Sequence, residues 1–138
     1  MSWKAWTEQG YGVKLFTGEN FGAIRKFIAE RTDDIEDKEA ILSAEDEDEL
    51  YDICGDPVSW VVAEIIRDET GYNSFIGFMA CGDTNFEDHI GFTTDFPWKF
   101  GEKDRKLTLE VAQKLIEKYA KELEIDEVPE YFEAEYCG

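Results

Sequence analysis

His89 is the single histidine of the chain, and Cys81 precedes it by eight residues. A thiol and an imidazole brought together can serve as nucleophile and base. No nucleophile motif surrounds either residue, so the simpler reading is a partly exposed histidine at the start of a strand. The same loop holds Cys81, Asp83, Glu87, Asp88 and His89. Zinc needs three or four such ligands in fixed geometry. Asp83, Asn85 and Glu87 alternate as the first ligands of a calcium loop do. Asp88 then stands where that loop requires glycine, and Thr94 stands where it requires its closing glutamate. Cys81, Asp83, Glu87 and His89 are thus the candidate ligands if a metal is bound, against a plain polar hairpin loop.

Glu133 and Glu135 fall on one face of a C-terminal strand, but nothing near them marks a sugar cleft. The chain has no GxGxxG, no phosphate-binding loop and no GxSxG. No residue is assigned a catalytic role and no cofactor is expected; the chain reads as a non-enzyme. Helices meeting at Gly55-Asp56 could imitate a helix-turn-helix. The second of them offers Glu64, Asp68 and Glu69 against Arg67, a poor surface for reading DNA.

The strongest signal is electrostatic. Glu45, Asp46, Glu47, Asp48 and Glu49 are consecutive acids, with Asp52 and Asp56 close behind. Net charge is -19 over 138 residues, and it is concentrated. Residues 30–56 hold 13 acids and 2 bases, and residues 122–138 hold 7 acids and no base. The remaining 94 residues are nearly balanced, with 13 acids and 12 bases. Adaptation to high salt would spread acid over the whole surface instead. Such a chain repels nucleic acid and anionic membranes and attracts cationic surfaces.

The bland reading is a solvated helix face that aids solubility. The sharper one is nucleic-acid mimicry, in which Glu45, Asp46, Glu47, Asp48, Glu49 and Asp52 bind a basic DNA- or RNA-binding protein and block it. Glu133 and Glu135 would extend the acidic surface, and Trp98, beside Pro97, would anchor it. Phage-encoded inhibitors use this device. Ten lysines to four arginines would suit an AT-rich phage or bacterial genome. The alternative is a small-ligand or metal-binding domain built on the 81–89 loop.

Hydrophobic residues make up 43% and aromatics 14%, enough for one core, so residues 1–138 are read as a single domain. MSWKAWTEQG lacks the apolar run of a signal peptide, and no apolar stretch is long enough to span a bilayer. The three cysteines, Cys54, Cys81 and Cys137, have no CxxC spacing and read as reduced thiols. A cytoplasmic location is expected.

The elements that must position these residues follow from periodicity. Two short strands are expected around Glu8-Gln9-Gly10, the second over 11–16. Asn20 reads as the cap of a helix over 21–31, with Phe21, Ile24, Phe27 and Ile28 inward. Residues 32–38 read as a polar loop. Ser43 would cap the acidic helix, with Leu50, Ile53 and Cys54 buried and Gly55 ending it. Asp56 would cap a helix starting at Pro57, whose Val58, Val61, Val62, Ile65 and Ile66 repeat at helical spacing up to Gly71.

Ile76-Gly77-Phe78 and Ile90-Gly91-Phe92 echo each other and are expected to pair as a hairpin, glycine opposite glycine, around Thr84. The facing glycines would make a flat spot for a close-packed helix or a ligand. Trp3, Trp6, Phe96, Trp98 and Phe100 are expected to cluster near the sheet end. Thr108 would cap a long helix with Val111, Ala112, Leu115, Ile116, Tyr119 and Leu123 inward. Residues 131–137 alternate as a strand with one wet face. The sum is an α+β domain: about four strands, mixed or antiparallel, with three to four helices mainly on one face.

Overall fold

The chain runs β1 (Ala5–Lys14), α1 (Phe21–Glu30), α2 (Ile35–Ser43), α3 (Glu47–Cys54), α4 (Val58–Thr70), β2 (Phe75–Phe78), β3 (His89–Thr93), α5 (Glu102–Arg105), α6 (Leu109–Glu122) and β4 (Glu130–Cys137). The computed structural model describes residues 5–78, 88–94 and 100–137, with backbone only at 5–8 and 134–137. The strands form one antiparallel sheet in the order β2-β3-β1-β4, an α+β fold. Six helices stand among the described residues rather than three or four.

Register places Tyr11 beside Phe92, Val13 beside Ile90 and Phe75 beside Phe92. These side chains share the face that the helices cover. Ile24, Phe27, Val62, Ile66, Ile116 and Leu123 bury against them in one core. Phe78 is buried on the opposite face, edge-on to Phe132 at 4.7 Å.

Several local expectations are corrected. β1 is one continuous strand rather than two short ones. α2 starts at Ile35, inside the 32–38 segment where a loop was expected. Asp34 caps it by accepting from the Asp37 amide at 3.0 Å. Arg25 of α1 closes its far end by donating to the Leu42 and Ala44 carbonyls at 3.1 and 2.6 Å. Asp46, not Ser43, caps α3, and Pro57 rather than Asp56 occupies the cap position of α4. In α3 only Leu50 is fully buried, since Ile53 is exposed and Cys54 half-buried. In α6 Val111 is exposed and Leu115 half-buried. Gly55 and Gly71 do end their helices, each at φ 79, where a side chain would be strained.

The hairpin register is one residue away from the expected one. Gly77 pairs with Ile90, and Ile76 pairs with Gly91. Each glycine answers a different neighbour. A Cβ on Gly77 would lie 2.5 Å from the Ser59 carbonyl carbon, so α4 packs on β2 backbone to backbone. Gly91 instead faces Gly12 on β1. The flat spot therefore exists at Gly77, and α4 fills it.

Asn20 precedes α1, but its side chain makes no cap bond. It is buried and ties three segments together. Its Nδ2 donates to the Leu15 and Leu123 carbonyls at 2.8 and 3.0 Å, and its Oδ1 accepts from the Thr17 amide at 2.9 Å. Asn20→Ala leaves those groups without partners and is expected to cost about 2–3 kcal/mol. A urea titration with an unchanged slope and a lower midpoint is the expected readout.

A second tie is Arg31. It bonds Glu69 at 2.7 Å and Glu122 at 3.0 Å and lies 3.8 Å from the centre of the Phe27 ring, joining α1, α4 and α6. Glu69 also accepts from the Tyr119 hydroxyl at 2.9 Å. Arg31 holds the Glu69 carboxyl below its ordinary value, while burial and the bond to Glu69 push Tyr119 up to about 12. Glu122, the first acid of the C-terminal block, thus has a structural duty.

Candidate functional site: an acidic helix start beside the sheet

The acidic run occupies the entry to α3. Glu45, Asp46, Glu47, Asp48, Glu49 and Asp52 are all exposed. Two of the six serve the helix itself. Asp46 accepts from the Glu49 amide at 2.9 Å, and Glu49 Oε2 accepts from the Glu45 amide at 2.7 Å. This is a capping box displaced by one residue, and it satisfies donors that a helix start leaves open. The partial positive charge of the helix start also favours acids there. Among the described residues, Glu45, Glu47, Asp48 and Asp52 have no ion-pair partner. Arg25 sits close by, but its bonds go to the carbonyls before Glu45.

Asp88 joins this face from the sheet, which sequence reasoning missed. Its carbonyl accepts from the Leu15 amide at 2.8 Å, which fixes it at the start of β3. Burial, and then the charge of Glu47, push the Asp88 carboxyl up to about 6. Glu47 is also raised, by burial first and then by Asp48 and Asp46. Desolvation leads at both carboxyls, and the neighbouring acids add to it. Tyr51, exposed at 45%, lies one turn after Glu47 and offers an aromatic contact within the acidic face.

The raised Asp88 value has a signed consequence. Between the ordinary aspartate range and about pH 6 the unfolded chain releases a proton that the native state keeps. Native stability therefore falls as pH rises through that window. For a half-buried group the change is about 1–3 kcal/mol. Asp88→Asn is expected to be the more stable protein at pH 7 and to flatten the decline between pH 4 and 6.5. Thermal melts of both proteins across that range check it. Glu69, whose value is lowered, acts in the opposite direction and is common to both proteins.

The other candidates lie elsewhere. Glu133 is exposed and accepts from Gln9 Nε2 at 3.2 Å. Gln9, on β1, is six residues from Leu15, the partner of Asp88 just past the end of that strand, or ~20 Å at strand rise. The structure does not join Glu133 to the acidic helix. Glu135 stands opposite Thr7 in the β1–β4 register, and its side chain is outside the described residues. Trp98, Cys81, Asp83 and Glu87 also lie outside the described residues, as do Trp3, Phe96 and the side chain of Trp6. His89 is half-buried and stacks on Phe132 at 4.4 Å. With Lys14, Glu127 and Glu130 it lines a cavity of ≈ 320 Å³. Among the described residues, no group of three acids, thiols or imidazoles is placed to hold a metal ion.

Comparison with known proteins gives no family: no family model, curated protein or solved structure matches this chain. Function rests on the site alone. The Cys54 thiol is pushed up by burial and then by Asp56 and Asp37, so it is a poor nucleophile. Among the described residues, no helix is long and apolar enough to cross a membrane. What the acidic face offers chemically is a dense, incompletely neutralised field with an aromatic contact inside it.

Proposed function

We propose that this protein is a cytoplasmic, non-enzymatic interaction domain. It binds a basic DNA- or RNA-binding protein through the α3 face and inhibits it by occupying its nucleic-acid groove. The carrying observation is that Glu45, Glu47, Asp48 and Asp52 are exposed without a described cationic partner, beside an Asp88 raised by burial and then by the charge of Glu47. A cationic partner relieves that repulsion on binding, so part of the cost borne in the free protein is recovered.

Charge density supports the mimicry. α3 has eight residues, or ~12 Å of helix, and four carboxylates within it, Glu47, Asp48, Glu49 and Asp52, serve that length, with Glu45 and Asp46 just ahead of it. This is one charge per ~3 Å, somewhat more than half the line density of duplex DNA at one per ~1.7 Å. A phage or mobile element is the source in which such an inhibitor makes sense. The test is a pull-down from bacterial lysate at low salt, eluted by a salt gradient and challenged with DNA. A nucleic-acid-binding protein released by added DNA supports the reading, and capture indifferent to DNA and salt opposes it.

A second reading is a small-ligand or metal site that uses the 81–89 loop, favoured by the ≈ 320 Å³ cavity that Lys14 and His89 line. Calorimetry with zinc and calcium separates the two: heat together with thermal stabilisation favours this reading.

A further inference from the structure

The two edges of the sheet are treated differently. β2 forms one edge and is four residues long. The Thr93 amide donates to the Ser74 carbonyl at 2.9 Å. Residues 74, 76 and 78 therefore face β3, and Phe75 and Gly77 turn their backbone groups outward. Phe75 is covered: Arg67 donates to its carbonyl at 2.9 Å, and its amide donates to the Tyr72 carbonyl at 3.3 Å. α4 lies over Gly77. This edge is short and partly closed.

β4 forms the other edge and is eight residues long. The Leu15 and Thr94 amides donate to Asp88 and Gln9, so odd-numbered β1 residues face β3 and even-numbered ones face β4. With Gly10 opposite Phe132 and Gly12 opposite Glu130, the even-numbered residues of β4 bond to β1. Tyr131, Glu133, Glu135 and Cys137 consequently turn their N–H and C=O groups away from the sheet. They form a row spaced ~7 Å apart. Tyr131 is 67% exposed and Glu133 is exposed. Pro129 stands before the strand, and no proline or lysine interrupts it. Proteins ordinarily blunt such an edge.

The chemistry of this edge selects its occupant. β4 carries Glu130, Glu133 and Glu135, and no base occurs after Lys121. A second copy pairing here would set glutamates against glutamates, which is unfavourable. A strand with lysine or arginine at alternate positions would meet Glu133 and, on the same face, the Tyr131 ring, which packs against Tyr11 at 4.9 Å. We propose that β4 is an open edge for strand addition and takes an extended, lysine- or arginine-bearing segment of another protein. Main-chain bonds would supply affinity, and the alternating side chains specificity. The inference is independent of α3, because Glu133 lies apart from the acidic helix.

The test uses the full chain, a twelve-residue peptide alternating lysine and threonine, and the same peptide with glutamate for lysine. Amide exchange is the first readout. In the free protein the Tyr131 and Glu133 amides are expected to exchange at least tenfold faster than those of Glu130 and Phe132. The lysine peptide is expected to slow them at least tenfold, and the glutamate peptide to leave them unchanged. Two variants separate backbone from charge. Glu133→Gln removes only the charge and is expected to weaken binding a few-fold. Glu133→Pro also removes an outward N–H, without breaking a bond to β1, and is expected to weaken binding at least tenfold further. The proposal is overturned if the lysine peptide fails to protect Tyr131 and Glu133 in the native protein. It is also overturned if Glu133→Pro, folded by circular dichroism, binds as Glu133→Gln does, or if the native chain self-associates through β4.

Discussion

Converting Glu45, Glu47, Asp48 and Asp52 to their amides, with Asp46 and Glu49 kept, is expected to lower affinity for the basic partner by about 30- to 1,000-fold at low salt. Each exposed charge pair at an interface contributes about 0.5–1 kcal/mol, so four give about 2–4 kcal/mol. The choice of residues matters. Asp46 and Glu49 hold the start of α3 through the Glu49 and Glu45 amides, and changing them would confound loss of charge with loss of helix. The four chosen residues make no such bond among the described residues. Stability should therefore move by no more than about 1 kcal/mol. Relief of repulsion at Glu47 and Asp88 offsets the lost interaction with the helix start. Affinity measured at several salt concentrations decides the matter. A large loss with a shallower salt dependence marks the face as the binding surface. An unchanged affinity with an unchanged salt dependence makes it a solubilising face.

How much of this was legible in the sequence depends on where each element draws its stability. α1, α4 and α6 repeat apolar residues at helical spacing because each lays a stripe on the core, and that pattern is local. α2 buries only Ile41 fully, so it has almost no stripe to read. It stands because Asp34 caps one end and Arg25, from another helix, closes the other. The Asp34-to-Asp37 spacing was the signal available, and the polar composition outweighed it. The hairpin register was misread for a related reason. Two Ile-Gly-Phe triplets invite like-with-like pairing, but Gly77 is glycine for α4 and Gly91 for Gly12. Those partners are distant in sequence, and a slip of one residue exchanges the faces of every side chain.

The acidic face was legible as composition and incomplete as geometry. Charge density at Glu45 to Asp52 is written in one stretch. The approach of Asp88 to Glu47 depends on β1 pairing with β3, and the separation of Glu133 from that face depends on the sheet order. Neither is encoded nearby. Nor was the division of labour within the run, in which Asp46 and Glu49 serve the helix and four acids remain.

Gly77→Ala is expected to destabilise the protein by about 2–3 kcal/mol, the cost of overpacking a rigid contact. The new Cβ would lie 2.5 Å from the Ser59 carbonyl carbon and oxygen and 2.8 Å from the Trp60 nitrogen. These are helix backbone atoms, and no rotamer change relieves them. α4 must lift from β2, and Val62 and Ile66 lose part of their burial. Gly12→Ala should cost at least as much, since its Cβ would lie 2.7 Å from the Gly91 Cα between the two central strands. Gly22→Ala is the control. Its Cβ meets only Arg25 Nη2, at 3.8 Å, and it sits inside α1, so alanine is expected to add about 0.5–1 kcal/mol. Denaturant titration of the three variants checks this ranking. If Gly77→Ala matches the native protein, α4 does not rest on β2 backbone to backbone. A loss at Gly77 and Gly12 with a gain at Gly22 would mean that both glycines are set by distant neighbours. The same close contact seats α4, and through the Gly55 turn it holds the acidic helix in place.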